Sequence, residues 1–534
     1  MLTETVHNGY QTAIGTTTTE YYDASKYFQR KKVTDATGRV SEFDYYPKAK
    51  NTVTPNDPIT KGRDGQLMWT RDPGYANSNS TSYGRQFECD YNQYGQKIWD
   101  KNIANVVTTL EYSDTWGNLT KVRQDPTGLN RTTLMNYDVT GKVISSTDPK
   151  GQTSTFAYNT LGQPTSATFP ANGSVPAEMI SYSYGVNGRT QSVTDNRGTT
   201  SVAYESNGDR VKSVTDPITG TISYTYAPSG ERLTVTTPAG ETTTYTYETN
   251  YGLLPSPEPD KMTRPLRSIT DGQGRKVTLY YIADPLLAGN NPSYGPNLLG
   301  LLHSLRFNQT FNTNGDLLSY CESKPTYGAT PPRSLGAATT TYYWRTSPYA
   351  SWQNRVLSKN EYSYNALTGQ KTANLFTDNY GNQRTETYTY DELSRLKTVN
   401  YGDGQTQSYS FDSMGNRVAK TDNLAGSETY SYNNANMLLN RVVGGTNQTY
   451  TNDTNGNTLS GNGRTMTWDS QNRIANCVTG VSSSQKTSTF TYGSDGIRRR
   501  MTVVSANGNP TYTTDYVLDG HNVVQELTTT SVNV

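Results

Sequence analysis

The sequence predicts an all-β protein made of tandem hairpins, and three observations carry that expectation. Tyrosine is abundant, 42 residues against 10 Phe and 6 Trp, and Thr, Ser and Gly accompany it. An aromatic-x-aromatic pair recurs just before a turn glycine, about every 21 residues. Helical periodicity is nearly absent, whereas Tyr and Thr suit pleated, half-buried surfaces.

The unit can be read residue by residue. Alignment on the turn gives Gly95, Gly117, Gly141, Gly162, Gly188, Gly208 and Gly230, with steps of 22, 24, 21, 26, 20 and 22 residues. A second run gives Ser394, Gly415, Asn436, Gly456, Asn472 and Gly496. Gly supplies positive φ without steric cost, and Asn is the next most tolerant residue there. Ser394 is the exception, so Ser394→Gly is expected to stabilise the turn. The aromatic pairs include Tyr182/Tyr184, Tyr224/Tyr226, Tyr388/Tyr390, Tyr409/Phe411, Tyr430/Tyr432 and Phe490/Tyr492. Residues two apart share a face, so each pair puts two rings on one side and Thr or Ser on the other. Halfway between these turns lies a second set: "DPTG" at Asp125, "DPKG" at Asp148, "DNRG" at Asp195 and "DPITG" at Asp216. Asp starts such turns by accepting backbone N–H bonds two residues on. Each unit therefore reads strand, turn, strand, turn. A lone hairpin is marginal in water, so units must stack against neighbours.

Composition narrows the function classes. Hydrophobic residues make up 32% and charged residues 17%, with net charge +1. Disorder needs high charge and few aromatics, which is the opposite pattern. Near-zero charge offers no footprint for nucleic acid. No run of about 18 apolar residues exists, so no membrane-inserting helix is expected. The start, "MLTETVHNGYQ", lacks a signal-peptide pattern. Export by another route, or a longer parent chain, is the expectation. Cys89, Cys321 and Cys477 are far apart and read as structural thiols rather than a disulfide or zinc set.

The repeated phrase resembles the YD repeat of Rhs proteins, teneurins and the C components of insecticidal Tc toxins. The resemblance rests on "NYDVTGKV", "FAYNTLGQP", "YTYAPSGERL", "YTYDELSRL", "YSFDSMGNRV", "YSYNNANML", "TWDSQNRI" and "FTYGSDGIRRR". It covers roughly 85–250 and 360–525, with a weaker match near Asp35. It implies one long antiparallel sheet spiralling into a hollow, barrel-like shell. In toxin members the shell encloses a C-terminal toxic domain, which a core region releases by aspartyl autoproteolysis. The final stretch, "DYVLDGHNVVQELTTTSVNV", resembles the last repeat before that core, so the repeats are expected here without core or toxin. The nearest match to the paired-Asp protease signature is Asp125 with Asp148. Both sit at ordinary mid-repeat turns and are read as such. A shell of roughly 50 strands, with about 4.8 Å between strands, would enclose roughly 13,000 Å³, room for about 10 kDa of packed chain.

Three regions are expected: hairpins over 1–248, an irregular Pro-rich insertion or elongated hairpins over 249–360, and hairpins over 361–534. The insertion holds the densest aliphatic cluster, Leu298, Leu299, Leu301, Leu302 and Leu305, readable as a plug, a docking surface or a sealed seam. No constellation points to catalysis, a cofactor or a metal: His7, His303 and His521 are isolated, and no HExxH, P-loop or GxSxG exists. "TNDTNGNTLSGNG" (Thr451–Gly463) lacks the Glu of a calcium loop. Arg498 to Arg500 alternate faces of a strand and read as a repeat variant.

The expectation is thus a non-catalytic shell wall, exported to the cell surface or medium. Its partners would be an enclosed polypeptide, further shell segments or copies of itself. The alternatives are a filament or adhesion protein joined through sheet edges, and a glycan binder using exposed Tyr and Trp. The working residues are the turn glycines together with the tyrosine ladder, Tyr224, Tyr226, Tyr388, Tyr390, Tyr430 and Tyr432.

Overall fold

Alternation along single strands shows how the wall is built. In strand Gln383–Tyr390, Gln383, Thr385, Thr387 and Thr389 are exposed, while Arg384, Glu386, Tyr388 and Tyr390 are half-buried. Period-2 alternation of this kind marks a sheet with one solvated face. It recurs in Thr406–Phe411 and Gly198–Tyr204. The computed structural model describes residues 2–7, 13–46, 65–71, 87–247, 266–281, 302–311, 317–326, 338–347, 350–506 and 511–531, apart from positions 27, 114, 115, 207, 209, 366 and 379.

Strands pair antiparallel with their neighbours in sequence, so the topology is a meander, broken at one described point. Among the described residues one sheet has 34 strands and a second has eight. The expectation of a single sheet is modified at Tyr450. Its N–H bonds the Leu439 carbonyl at 2.8 Å. The strand splits there into Thr446–Thr449 and Thr451–Asn452. Gly461 faces the break, and a Cβ on it would lie 2.1 Å from the Tyr450 ring. The ring therefore occupies space that only glycine leaves free.

Successive turns alternate between the two rims of this ribbon. One rim carries the repeat glycines and is called the glycine rim. The other carries the turns at Asp125, Asp148, Asp195 and Asp216 and is called the aspartate rim. Between 302 and 364 the strands lengthen to Leu302–Phe311, Leu317–Thr326, Ala338–Ser347 and Ala350–Tyr364. Leu298, Leu299 and Leu301 lie outside the described residues.

The apolar core is small. Among the described residues, a buried cluster forms around Ile222, Tyr224 and Val235, with Val211, Val214, Tyr226 and Tyr245 beside it. The last hairpin, Thr511–Asp519 with Asn522–Ser531, reaches this place. Its Val517 is 2% exposed and lines a small cavity with Ile222 and Val214. Elsewhere among the described residues buried apolar side chains are scattered, as at Cys89, Ile180 and Val399.

Candidate functional site: the tyrosine ladder and the seam

The predicted turn residues all adopt left-handed backbone. φ is +78° at Gly95, +67° at Gly117, +83° at Gly141, +82° at Gly162, +76° at Gly188, +74° at Gly208 and +105° at Gly230. It is +87° at Gly415, +97° at Gly456 and +76° at Gly496. Ser394, Asn436 and Asn472 take +66°, +60° and +60°. The preceding acidic residue closes the turn. Asp138 accepts the N–H of Thr140 at 2.7 Å and of Lys142 at 3.0 Å. Asp391 does the same with Leu393 and Arg395, at 3.0 and 2.9 Å. The aspartate after the tyrosine thus holds the turn through one carboxylate oxygen.

The tyrosines do more than pack. The second aromatic of each pair sits where the hairpin register slips. Its hydroxyl donates to the preceding unit, at the carbonyl of the first residue after that unit's turn. Tyr112 reaches Lys97 (2.8 Å), Tyr137 Leu119 (2.7 Å), Tyr158 Val143 (3.0 Å) and Tyr184 Pro164 (2.8 Å). Tyr204 reaches Thr190 (3.0 Å), Tyr226 Val211 (2.9 Å) and Tyr247 Arg232 (2.9 Å). The second run continues with Tyr390 to Lys371, Tyr432 to Arg417 and Tyr492 to Ile474. Burial raises the phenols of Tyr184, Tyr226 and Tyr390 above their usual value, which keeps them protonated as donors.

Exceptions follow the same logic. Asn452 donates its amide to the Leu438 carbonyl at 3.0 Å, and Trp468 its indole N–H to the Thr458 carbonyl at 2.8 Å. At Tyr91 the buried Cys89 thiol caps the Leu67 carbonyl instead, and Tyr91 shares a bond with that sulfur. Phe411 has no hydroxyl to offer.

The first aromatic has a separate role that the sequence reading missed. Tyr388 donates to Glu386 at 2.6 Å, and Tyr409 and Tyr430 donate likewise to Gln407 and Glu428. The signal was present as Glu or Gln two residues upstream. Tyr224 instead bonds Asp519 of the last hairpin, which also pairs with Arg232 at 2.7 Å. Basic residues just after the turns lie over these rings, as Arg210 does over Tyr226 at 5.2 Å and Arg417 over Tyr430 at 4.7 Å.

A second arrangement joins residues some 300 positions apart. Asn434 bonds Asp125 at 3.3 Å and Asn455 bonds Asp148 at 2.6 Å. Arg131 donates to the carbonyls of Thr454 and Asn455 at 2.7 and 2.8 Å. Arg473 pairs with Glu178 at 2.7 Å, and the Ser494 N–H donates to Asp195 at 3.1 Å. Arg39 donates to Ser394 at 2.8 Å. The aspartate rim of the first coil therefore meets the glycine rim of the second, one unit further along at each step from Asp125 to Asp195, while the Arg39–Ser394 contact is one unit out of that step. Roughly 23 strands separate partners; at about 4.8 Å each, the loop is near 110 Å around and about 18 Å in mean radius.

The seam is most buried at Arg197. Its guanidinium binds Asp195 at 2.8 Å and Asp216 at 2.7 Å, with side-chain exposures of 4%, 1% and 12%. Burial alone would raise the Asp216 carboxyl. The Arg197 guanidinium and the N–H groups of Ile218 and Thr219 outweigh it and hold the group below the usual range. Arg499 approaches Asp216 from the second coil at 3.6 Å. Its neighbours Arg498 and Arg500 stack on Phe490 and pair with Asp515, so this arginine run is spent within the fold.

Asp125 and Asp148 are turn and seam acceptors here. Residues 451–463 form strand, turn and strand, and Asp453 pairs with Lys150 at 3.3 Å. Among the described residues no cluster of three potential metal ligands occurs. No described helix is long and apolar enough to cross a membrane.

Residues 137–175, which include the Tyr137–Gly141 and Tyr158–Gly162 phrases, match the family described as RHS Repeat. That stretch carries an RHS repeat. No curated protein matches the chain. Among solved structures, a TcdB2–TccC3 structure without its hypervariable C-terminal region shares 11% identity, covering 98% of this chain and 35% of that one, with TM-score 0.39. TcdB2–TccC3 itself gives 12%, 98%, 33% and 0.38. A Tc holotoxin pore of Photorhabdus luminescens gives 12%, 98%, 40% and 0.26. The chain spans about a third of the first of these.

Proposed function

We propose that this chain is a structural wall segment of a YD/Rhs-type shell that encloses or presents a polypeptide in an exported toxin or surface protein. The observation that supports this reading is the seam. A ribbon whose coils bond rim to rim surrounds a space, and the chain spends its charged turn residues on closing that wall. The role is non-catalytic: Asp125 and Asp148, the residues nearest to a protease signature, serve as seam acceptors. Protein is the partner that such an enclosure fits, either a passenger or further wall segments.

Electron microscopy of the purified chain at two concentrations tests the reading. Discrete hollow particles of constant size at both are expected. Long fibres, or solid particles with no central cavity, would overturn it.

A further inference from the structure

The two coils use the same turn differently. In the second coil the glycine-rim tips are Asn434, Asn455, Gln471 and Ser494, and each bonds an acidic residue of the first coil. In the first coil five consecutive tips are apolar: Tyr94, Trp116, Val139, Leu161 and Val186. Their exposures run from 69% to 113%. Successive tips are two strands apart, about 10 Å, so the row is an arc about 40 Å long.

The five side chains offer about 700 Å² of surface, above the few hundred Å² of scattered apolar exposure and near the roughly 800 Å² per partner of a standard interface. An aspartate rim would be a poor occupant. The seam takes up that rim in the first coil, and in the second coil its exposed apolar residues, Tyr380, Leu424 and Val481, are separated by the turns at Asp403, Gly444 and Asn462, so no unbroken apolar row is there to face the five tips. An apolar row of the same curvature is the matching surface.

We propose that the glycine rim of the first coil docks the same rim of a second copy in a two-fold dimer. A spiral rim maps onto itself under a two-fold axis perpendicular to the spiral, so the two arcs coincide along their length. With the axis at Val139, Trp116 faces Leu161 of the second copy and Tyr94 faces Val186. Large side chains then oppose smaller ones across the contact. The interface is isologous and closes at two copies. This goes beyond the shell reading, because it concerns the outer rim and not what the wall surrounds.

Sedimentation velocity of the full chain across micromolar concentrations is the test. A species of twice the 59.0 kDa chain mass is expected. Trp116→Glu should weaken it at least tenfold with the circular dichroism spectrum unchanged. Val186→Tyr alone should weaken it, because two tyrosines then meet, and adding Tyr94→Val should restore it. Val139→Cys should form a disulfide-linked dimer under oxidation, which the unaltered chain does not. A monomer at every concentration, a dimer indifferent to Trp116→Glu, or open-ended growth would overturn the proposal. So would recovery of the chain on phosphatidylcholine vesicles with loss of binding in Trp116→Glu, which would make the row a membrane-facing edge. Hollow particles that stay monomeric would sink the dimer and leave the shell reading standing.

Discussion

Trp468 donates its indole N–H to the carbonyl of Thr458 at 2.8 Å, in the place where other units set a tyrosine hydroxyl. The repeat therefore selects a donor at that position rather than a particular ring. Carbonyls at register slips would otherwise lack a partner inside the wall, and an unpaired buried carbonyl is costly.

The ladder sets the first prediction. Tyr226→Phe should lower stability by about 0.5–1.5 kcal/mol, the loss of one neutral hydrogen bond. Phe411→Tyr should raise it by a similar or smaller amount, because the Leu396 carbonyl stands where other units accept a hydroxyl. Urea unfolding of both variants checks this. Destabilisation by Phe411→Tyr would show that the site has no room for the donor.

Left-handed turns set the second. Gly415→Ala has nothing within 4 Å of the added carbon, so its cost is conformational, about 1 kcal/mol. Ser394→Gly should relieve a similar strain but forfeit the bond from Arg39. Its gain should reach about 1 kcal/mol only in an Arg39→Ala background and be smaller in the unaltered chain. Thermal melts of the four-member cycle decide it.

Arg197 sets the third. The folded Asp216 carboxyl lies below its unfolded value of about 3.9, so its contribution is complete above that pH and is lost as pH falls through the folded value. Stability should fall as the solution is acidified below about pH 4. Arg197→Met removes the cation that bridges two buried carboxylates and leaves Asp216 only the more distant Arg499, so it should cost about 3–5 kcal/mol near pH 7. Without Arg197 the Asp216 carboxyl loses a main cause of its lowered value, so the loss of stability below about pH 4 should be smaller in this variant. Denaturant titrations at several pH values measure both slopes, and parallel slopes would refute the network.

The seam aspartates set the fourth. Asp148→Ala removes the bonds to Asn455 and to the N–H groups of Lys150 and Gln152. It should cost about 1–3 kcal/mol. The band pattern of the chain after prolonged incubation should be the same with and without the substitution. A cleavage product that Asp125→Ala or Asp148→Ala abolishes would make the pair catalytic.

The unit was legible because its causes are local. Positive φ selects Gly or Asn at Gly415 and Asn436, the carboxylate of Asp138 organises its own turn, and period 2 places Tyr388 with Tyr390 on one face. The roles of Glu386 and Gln407 were missed: they recur two residues before an aromatic, yet polar residues on a strand give no signal without the contact. Nothing in "DNRG" or in "NQYG" at Asn92 distinguishes a turn that will meet another coil from one that will face water.

What the sequence determined by itself is the repeat: strand, turn and register follow from interactions within about 21 residues. The tertiary structure decided the closure, in which Arg131 meets Asn455 and Asp195 meets Ser494 across some 300 residues. It also decided which glycine-rim tips are covered and which, from Tyr94 to Val186, remain bare. The physical reason is accumulation. Small twists at each strand pair, summed around the coil, set which unit arrives opposite which, and no single unit encodes that sum.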